Sequence, residues 1–280
     1  MPESPELLIL GIAQDAGHPH VGCRRPCCLP AWAHPAAGHR VSCLGLIEGD
    51  QGWLIDATPD LPAQLNVLEA RGAALSGVLL THGHTGHYTG LSYLGREGLS
   101  AAGVAVHAMP KMCRLLTDNA PWEQLLRLGN IALRVAAAGE GIALSASLTA
   151  TPLLVPHRAE YTETVGYRIT GPNRSVLYIP DVDVWWPGIE ALIAGVDLAL
   201  LDGTFFTAHE APDRDPTEVP HPPIETSLAR FSVLPAEVRA RIRFIHLNHS
   251  NPALNPDSEA ASAIRAAGMG VAVEGESLAL

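Results

Sequence analysis

Three histidines within six positions constrain this chain more than any other feature. A short apolar stretch runs directly into His82, His84 and His87 in the segment GVLLTHGHTGHYTGL, residues 77–91. Side chains two positions apart on an extended segment project to the same side, so His82 and His84 can bind one cation together. His87 falls in the first turn of the helical pattern that follows, where it would point back toward the same cleft. Because neutral imidazole is the most common metal ligand, the sequence predicts a metal site here.

Further side chains that can bind a metal follow later apolar runs. His157 follows LLVP, Asp181 follows VLYIP and His246 follows RFI. In layered α/β folds the ends of strands gather at one edge, where sites form. Asp183 is an alternative to Asp181, since it would project to the same side of an extended chain.

The pattern along the chain predicts a mixed α/β sandwich. Short runs rich in Val, Ile and Leu are typical of buried strands. They are Leu7–Ala13, Ser42–Ile47, Trp53–Asp56, Gly77–Thr81, Val104–Ala108, Ile131–Val135, Leu148–Val155, Val165–Ile169, Val176–Ile179, Leu198–Asp202, Phe244–Leu247 and Val271–Val273. Helical patterns lie between them at Leu61–Arg71, Pro187–Ala194, Pro223–Phe231 and Asp257–Ala267. We expect one domain spanning residues 1–280.

Charge and hydropathy exclude several classes of function. Eighteen basic and 29 acidic side chains give a net charge of −11, which argues against a nucleic-acid-binding surface. No apolar run reaches the roughly 18 residues of a membrane span, and the N-terminus does not have the pattern of a signal peptide. We therefore expect a cytoplasmic protein that acts on a small molecule or short peptide, without nucleic-acid or membrane partners. The sequence leaves open whether it forms a homodimer.

Other polar residues are expected to serve the site from its edge. Asp15 and His20 lie just after the first apolar run and would line the mouth of the cleft. Asp56 and Asp202 end apolar runs, where a carboxylate can orient a metal-bound imidazole. His221 lies in a proline-rich segment and is a candidate for contact with the substrate.

The histidine pattern resembles that of the metallo-β-lactamase fold, His-x-His-x-Asp-His followed by separate His, Asp and His. The resemblance implies an α/β protein with a four-layer αββα sandwich, in which two metals hold a hydroxide that attacks the substrate. It implies six metal ligands: His82, His84 and His157 for the first metal, Asp181 as the bridge, and His87 and His246 for the second. Asp181, His87 and His246 would thereby form the catalytic group.

One position departs from that pattern. Residue 86 is Gly where the family has Asp. In the family that carboxylate binds the second metal and orients the water. Its absence is expected to weaken the second site, while the ligands of the first metal are unchanged.

Five further segments resemble the pyrroloquinoline quinone biosynthesis protein B group. They are LIDATPDLPAQL (54–65), GYRITGPNRSVLYIPDV (166–182), LLDGTFFTAHE (200–210), PHPPI (220–224) and HLNHSNPAL (246–254). The resemblance extends from Leu8 to the C-terminus. It implies either a metal-dependent hydrolase or an iron-dependent, oxygen-using hydroxylase of a tyrosine-derived precursor.

A cysteine cluster adds a second metal site. Cys23, Cys27 and Cys28 lie in GCRRPCC, residues 22–28, and such a cluster in a reducing compartment indicates a metal or redox site. The resemblance adds His249 as a fourth ligand, which completes the closed tetrahedral set of a structural zinc. The alternative is that one of the adjacent Cys27 and Cys28 is a free thiol.

Three functions follow, in order of preference. The first is a hydrolase that uses a metal-activated water, with zinc, iron or manganese at the active site. The second is the non-haem iron hydroxylase, which Gly86 favours because the missing carboxylate would free coordination sites. The third is a carrier of a small molecule or metal without catalytic activity.

Overall fold

Two β-sheets form the centre of the computed structural model, which describes residues 4–210 and 219–280. The strands are β1 (Glu6–Gly11), β2 (Cys43–Glu48), β3 (Gln51–Ile55), β4 (Ala74–Leu79), β5 (Val104–Ala108), β6 (Ile131–Val135), β7 (Ile142–Ala143), β8 (Thr149–Leu154), β9 (Val165–Thr170), β10 (Ser175–Ile179), β11 (Leu198–Asp202), β12 (Ile242–Ile245), β13 (Gly270–Val271) and β14 (Ser277–Ala279). One seven-stranded sheet has the order β14-β1-β2-β3-β4-β5-β6, and the other has the order β13-β12-β11-β10-β9-β8-β7.

Helices cover the outer face of each sheet. They are α1 (Leu29–Ala33), α2 (Leu61–Ala70), α3 (Thr85–Tyr88), α4 (Pro110–Asp118), α5 (Trp122–Arg127), α6 (Ile189–Ala194), α7 (Ile224–Phe231), α8 (Ala236–Arg239) and α9 (Glu259–Ala266). Short 3-10 turns lie at Pro35–Ala37, Thr89–Leu94 and Pro252–Leu254. The result is an α/β protein with the expected αββα layers. In the described part of the chain, no helix is long and apolar enough to cross a membrane.

Three apolar cores hold the layers together. The central core lies between the sheets and includes Leu7, Leu44 and Tyr178, all fully buried. Two outer cores lie between each sheet and its helices. The Tyr178 hydroxyl lies 3.1 Å from Ser42 Oγ, so a hydrogen bond joins the two sheets across an otherwise apolar layer. Burial of this much apolar surface fixes both sheets relative to each other.

Parallel strands bring the chemistry to one edge of the sandwich. β3 pairs in parallel with β4, and β10 pairs in parallel with β11, which pairs in parallel with β12. The chain leaves β3 at Asp56, β10 ahead of Asp181 and β12 at His246. Asp56 and His246 both have left-handed backbones, with φ of 72° and 63°, which side-chain-bearing residues adopt at a cost. The fold thus holds two site residues in strained conformations.

The segment after β1 joins the two sheets at this edge. Ala13 forms isolated parallel bridges with both Val41 and Leu247. Gly11 permits this crossing, because a Cβ atom at residue 11 would lie 2.0 Å from the Val41 carbonyl oxygen and 2.7 Å from the Arg40 carbonyl oxygen. The chain that follows is therefore held directly beside the end of β12.

We expect Gly11→Ala to destabilise the protein, because the new methyl would overlap two backbone carbonyls that cannot rotate away. The free energy of unfolding in urea should fall by about 1–3 kcal/mol, the usual cost of overpacking. Gly270→Ala is the matched control, since its Cβ would meet its nearest neighbour, Arg243 Cγ, at an ordinary 3.6 Å. Equal stability of the two variants would contradict this account of the crossing.

Candidate metal centre

Three imidazoles form the first group at the edge of the sandwich. His84 Nδ1 lies 2.9 Å from His82 Nε2 and 3.2 Å from His157 Nε2. Ligand atoms on a tetrahedral zinc with bonds of about 2.0–2.1 Å lie about 3.3–3.4 Å apart, so this spacing suits one cation. Burial and the charges of neighbouring histidines lower the pKa of His82 and of His157, which keeps their nitrogen lone pairs available.

A second group lies beside the first. Asp181 Oδ2 is 3.3 Å from His87 Nε2 and 3.4 Å from His246 Nε2. All three atoms are buried, and none has a hydrogen-bond partner among the described residues. Because buried polar atoms are almost always satisfied, such a convergence indicates a place for a cation.

Asp181 faces both groups. While its Oδ2 points at His87 and His246, its Oδ1 lies 3.7 Å from His157 Nε2. Asp183, the alternative weighed from the sequence, lies instead 2.8 Å from His157 Nδ1, on the far side of that ring. The carboxylate between the two groups is therefore that of Asp181.

Asp15 lies inside the centre rather than at the mouth of the cleft, where the sequence had placed it. Its Oδ1 is 3.2 Å from His87 Nε2 and 3.8 Å from His246 Nε2. Burial alone would raise the pKa of Asp15, but the neighbouring imidazoles of His246 and His87 lower it well below the ordinary value. The second group thus has a carboxylate beside it even though residue 86 is Gly. Local sequence gave no signal for this contact apart from the unexplained glycine.

Two buried aspartates orient the imidazoles from behind. Asp56 accepts hydrogen bonds from the backbone N–H and hydroxyl of Thr81 and lies 2.7 Å from His87 Nδ1. The Thr81 hydroxyl in turn lies 2.9 Å from His82 Nδ1. Such partners fix the ring orientation and strengthen imidazole as a ligand.

Asp202 repeats the arrangement on the other sheet. It accepts hydrogen bonds from the N–H and hydroxyl of Thr204, whose oxygen lies 3.0 Å from His246 Nδ1. Its other oxygen is 2.7 Å from His221 Nδ1. Asp202 therefore reaches His246 only through Thr204, and its direct imidazole partner is His221.

His221 is packed among the site histidines. Its ring centroid lies 5.5 Å from that of His157 and 6.2 Å from that of His246. Burial would lower its pKa, but the carboxylates of Asp202 and Asp181 outweigh burial and raise it. Since Nδ1 faces Asp202, only Nε2 of His221 can serve a substrate.

The cysteine cluster forms a separate group. Cys27 Sγ lies 3.9 Å from Cys23 Sγ and 4.0 Å from Cys28 Sγ, and His249 completes a set whose ligand atoms all lie within 4.8 Å of one another. Thiolates on a tetrahedral zinc with bonds of about 2.3 Å lie about 3.8 Å apart, so the spacing fits. Burial raises the pKa of Cys28 to about 12 and also raises that of Cys27, so these two thiols need a cation to become thiolates; burial would raise the pKa of Cys23 as well, but hydrogen bonds with Arg25 lower it.

His20 belongs to this cluster and not to the cleft mouth. Its ring centroid is 4.2 Å from that of His249, and its backbone N–H donates to Cys28 Sγ. The sequence placed His20 beside Asp15 at the mouth of the cleft, but the chain turns between residues 15 and 22, and the His20 ring lies against His249 instead. The Arg25 guanidinium lies 3.0 Å from His249 Nε2.

A cleft of about 530 Å³ reaches the centre at His84 and Asp15. This volume is in the range of small-molecule sites. Its lining includes three aromatic side chains, one amide and one cation, together with two side chains of the centre. They are Tyr88, Trp122, Tyr161, Asn119, Arg158, Asp15 and His84.

Comparisons with known proteins agree with this geometry. A family model described as "Beta-lactamase superfamily domain" matches residues 53–273. The chain is 28% identical to a coenzyme PQQ synthesis protein B from Methylobacterium sp. (strain 4-46), over 98% of this chain and all of the relative, and 28% identical to one from Xanthomonas oryzae pv. oryzae. Among solved structures, Zn²⁺-bound PqqB from Methylobacterium extorquens superposes with a TM-score of 0.84 at 26% identity, over 98% of this chain and 100% of that one. A diphosphatase from the PhnP family has the same fold, with a TM-score of 0.70 at 22% identity over 99% and 98% of the two chains.

We expect Cys23→Ser to remove one zinc per chain without changing the metal content of the histidine centre, because the two groups share no ligand atom. Metal analysis by plasma mass spectrometry on untagged protein measures this, with His84→Ala as the reciprocal variant. Cys113→Ser, which alters a buried cysteine outside the cluster, is the matched control and should keep the wild-type content. Zinc retained by Cys23→Ser would contradict the assignment.

Proposed function

This chain belongs to the beta-lactamase superfamily, and we propose that it is a metal-dependent hydrolase of a small substrate. The observation that carries the proposal is the position of Asp181. One oxygen of its carboxylate faces the His82, His84 and His157 group, and the other faces His87 and His246. A shared carboxylate of this kind suits two cations held close together.

The donor atoms fit zinc, iron or manganese, since imidazole and carboxylate are ligands that all three accept. When bound, such cations lower the pKa of a water molecule to about 7 and polarise a carbonyl or phosphoryl oxygen of the substrate. The protein holds the ligands in place through Asp56 and Asp202, which fix the imidazole rings through Thr81 and Thr204.

We assign His221 the role of proton donor to the leaving group. Its Nδ1 is held by Asp202, so a proton on Nε2 is positioned at the rim of the centre. Burial would lower the pKa of His221, but the carboxylates of Asp202 and Asp181 raise it, which favours the ring with a proton on both nitrogens. Because the Asp202 carboxylate favours the protonated form of the ring, His221 regains a proton after each transfer.

The relatives suggest where this activity belongs. Curated proteins named coenzyme PQQ synthesis protein B match almost the whole chain, which supports a substrate from the biosynthesis of a quinone cofactor. The cleft, with its aromatic walls and Arg158, suits a small organic molecule or a short peptide carrying an acidic group.

Two other functions are less well supported. The argument for an iron hydroxylase was that Gly86 leaves free space and free coordination sites beside His87. The carboxylate of Asp15 lies in that space, so hydrolysis is favoured. The complete set of oriented ligands argues against a carrier, which has no need of them.

The proposal predicts that chelation abolishes turnover and that reloading restores it. Metal-free protein reloaded with zinc, manganese or, under anaerobic conditions, Fe²⁺ should hydrolyse at least one substrate class in a panel of esters, lactones, thioesters and phosphodiesters. His84→Ala should lower kcat/KM by at least about 100-fold, because the cation supplies several kcal/mol of charge stabilisation. Glu97→Gln, which alters an exposed residue that does not line the cleft, is the control. Fully loaded protein without turnover on any class, or oxygen consumption by the Fe²⁺ form, would overturn hydrolysis.

His221→Gln should lower kcat by about 10²–10⁴-fold with unchanged metal content, as expected for loss of a proton donor. Substrates with good leaving groups should lose much less, because they depart without a proton. His107→Gln, a half-buried histidine on β5, is the matched control. An equal fall in kcat for substrates with good and with poor leaving groups would show that His221 has a structural role and does not donate the proton.

A further inference from the structure

Asp15 and residue 86 compete for one space. A Cβ atom at residue 86 would lie 2.3 Å from Asp15 Oδ1 and 2.6 Å from Asp15 Cα, far inside van der Waals contact. Gly86 lies in α3 without a left-handed backbone, so its conformation does not require glycine. What glycine supplies at this position is room for the Asp15 carboxylate.

The backbone holds Asp15 in that room. The Gln14 N–H donates to the Leu247 carbonyl, and the Leu247 N–H donates to the Ile12 carbonyl, so the segment is tied to the end of β12. The Gly17 N–H closes the turn onto the Gln14 carbonyl. Asp15 therefore does not depend on its own side-chain contacts for its position.

The two oxygens of Asp15 have different surroundings. Oδ2 accepts a hydrogen bond from Gln14 Nε2 at 2.8 Å. Oδ1 is buried and has no hydrogen-bond partner among the described residues. It faces Nε2 of His87 and Nε2 of His246, which also have no hydrogen-bond partner there. Together these three atoms form one of the groups whose spacing suits a metal ion.

We propose that Asp15 is the carboxylate that completes the second metal site, and that Gly86 is present because it leaves space for it. The ligand comes from the loop after β1 and not from the helix that carries His87. This inference rests on the metal centre of the proposed function but not on the reaction. Metal binding can be measured without any substrate, so failure of hydrolysis leaves it standing.

The test measures metal binding in four proteins: wild type, Asp15→Asn, Gly86→Asp and the double variant Asp15→Gly with Gly86→Asp. Titration of metal-free protein with Mn²⁺ gives the stoichiometry, and the electron paramagnetic resonance signal distinguishes two coupled Mn²⁺ ions from one. Glu160→Gln is the matched control, since it removes the same charge from the same cleft beside the outer nitrogen of His84.

In Asp15→Asn we expect the affinity for the second Mn²⁺ to fall by more than about 100-fold and the coupled signal to be lost. Residues that only hydrogen-bond to a metal ligand already contribute about 10–100-fold to metal affinity, and a ligand should contribute more. Gly86→Asp should also lose the second ion, because the new side chain displaces Asp15. The double variant should regain part of that affinity, because it has a carboxylate again but the Cβ atom of residue 86 still meets the Cα atom of residue 15. Glu160→Gln should keep the second ion, because the Glu160 carboxylate contacts His84, which belongs to the first group.

Unchanged affinity for the second ion in Asp15→Asn would overturn the proposal and leave Asp15 as an ion-pair partner of His87 only. Zinc bound at the cysteine cluster reports that each variant is folded. Thermal unfolding adds a test without metal: Gly86→Ala should destabilise the wild type more than an Asp15→Gly background, in which only the contact with the Cα atom of residue 15 remains. Additive effects of the two substitutions would show that the residues do not share the space.

Discussion

The burial of polar atoms that only a cation can satisfy is the constraint on which the rest of this structure depends. Two apolar sheets bring imidazoles and carboxylates together at one edge, where desolvation would be costly without compensation. Asp56 and Asp202 hold the outer nitrogens of His87 and His221 directly and those of His82 and His246 through Thr81 and Thr204, while the inner atoms converge on each other. The sandwich is thus a stable scaffold, and the polar atoms at its edge are arranged to bind cations.

The sequence predicted the layers well because burial determines strand composition. Val104–Ala108, Ile131–Val135 and Leu198–Asp202 have the predicted bounds. Helices α1, α4, α5 and α8 were missed because they are only four to nine residues long, too short for a clear helical pattern. Whether residues 1–280 form one domain stays a prediction.

The site was predictable where ligands follow strands and unpredictable where a loop brings them in. His82, His157, Asp181 and His246 each lie just past an apolar run, so their convergence follows from the topology. Asp15 reaches the centre because Ala13 forms bridges with Val41 and with Leu247, and the second of these joins residues more than 230 positions apart. Such non-local pairing leaves no local pattern, and the only sign of it was a glycine in a helix that has no conformational need of one.

The overlap of Asp15 with residue 86 also restricts the routes by which such a centre can change over generations. Glycine and aspartate codons differ by one base, so each of the two exchanges is a single mutational step. Yet a chain with aspartate at both positions cannot place both carboxylates, and a chain with glycine at both has none. Either order of steps passes through an intermediate with an impaired second site. A lineage with one arrangement is therefore held in it, even though the other arrangement would serve the metal from the same point in space.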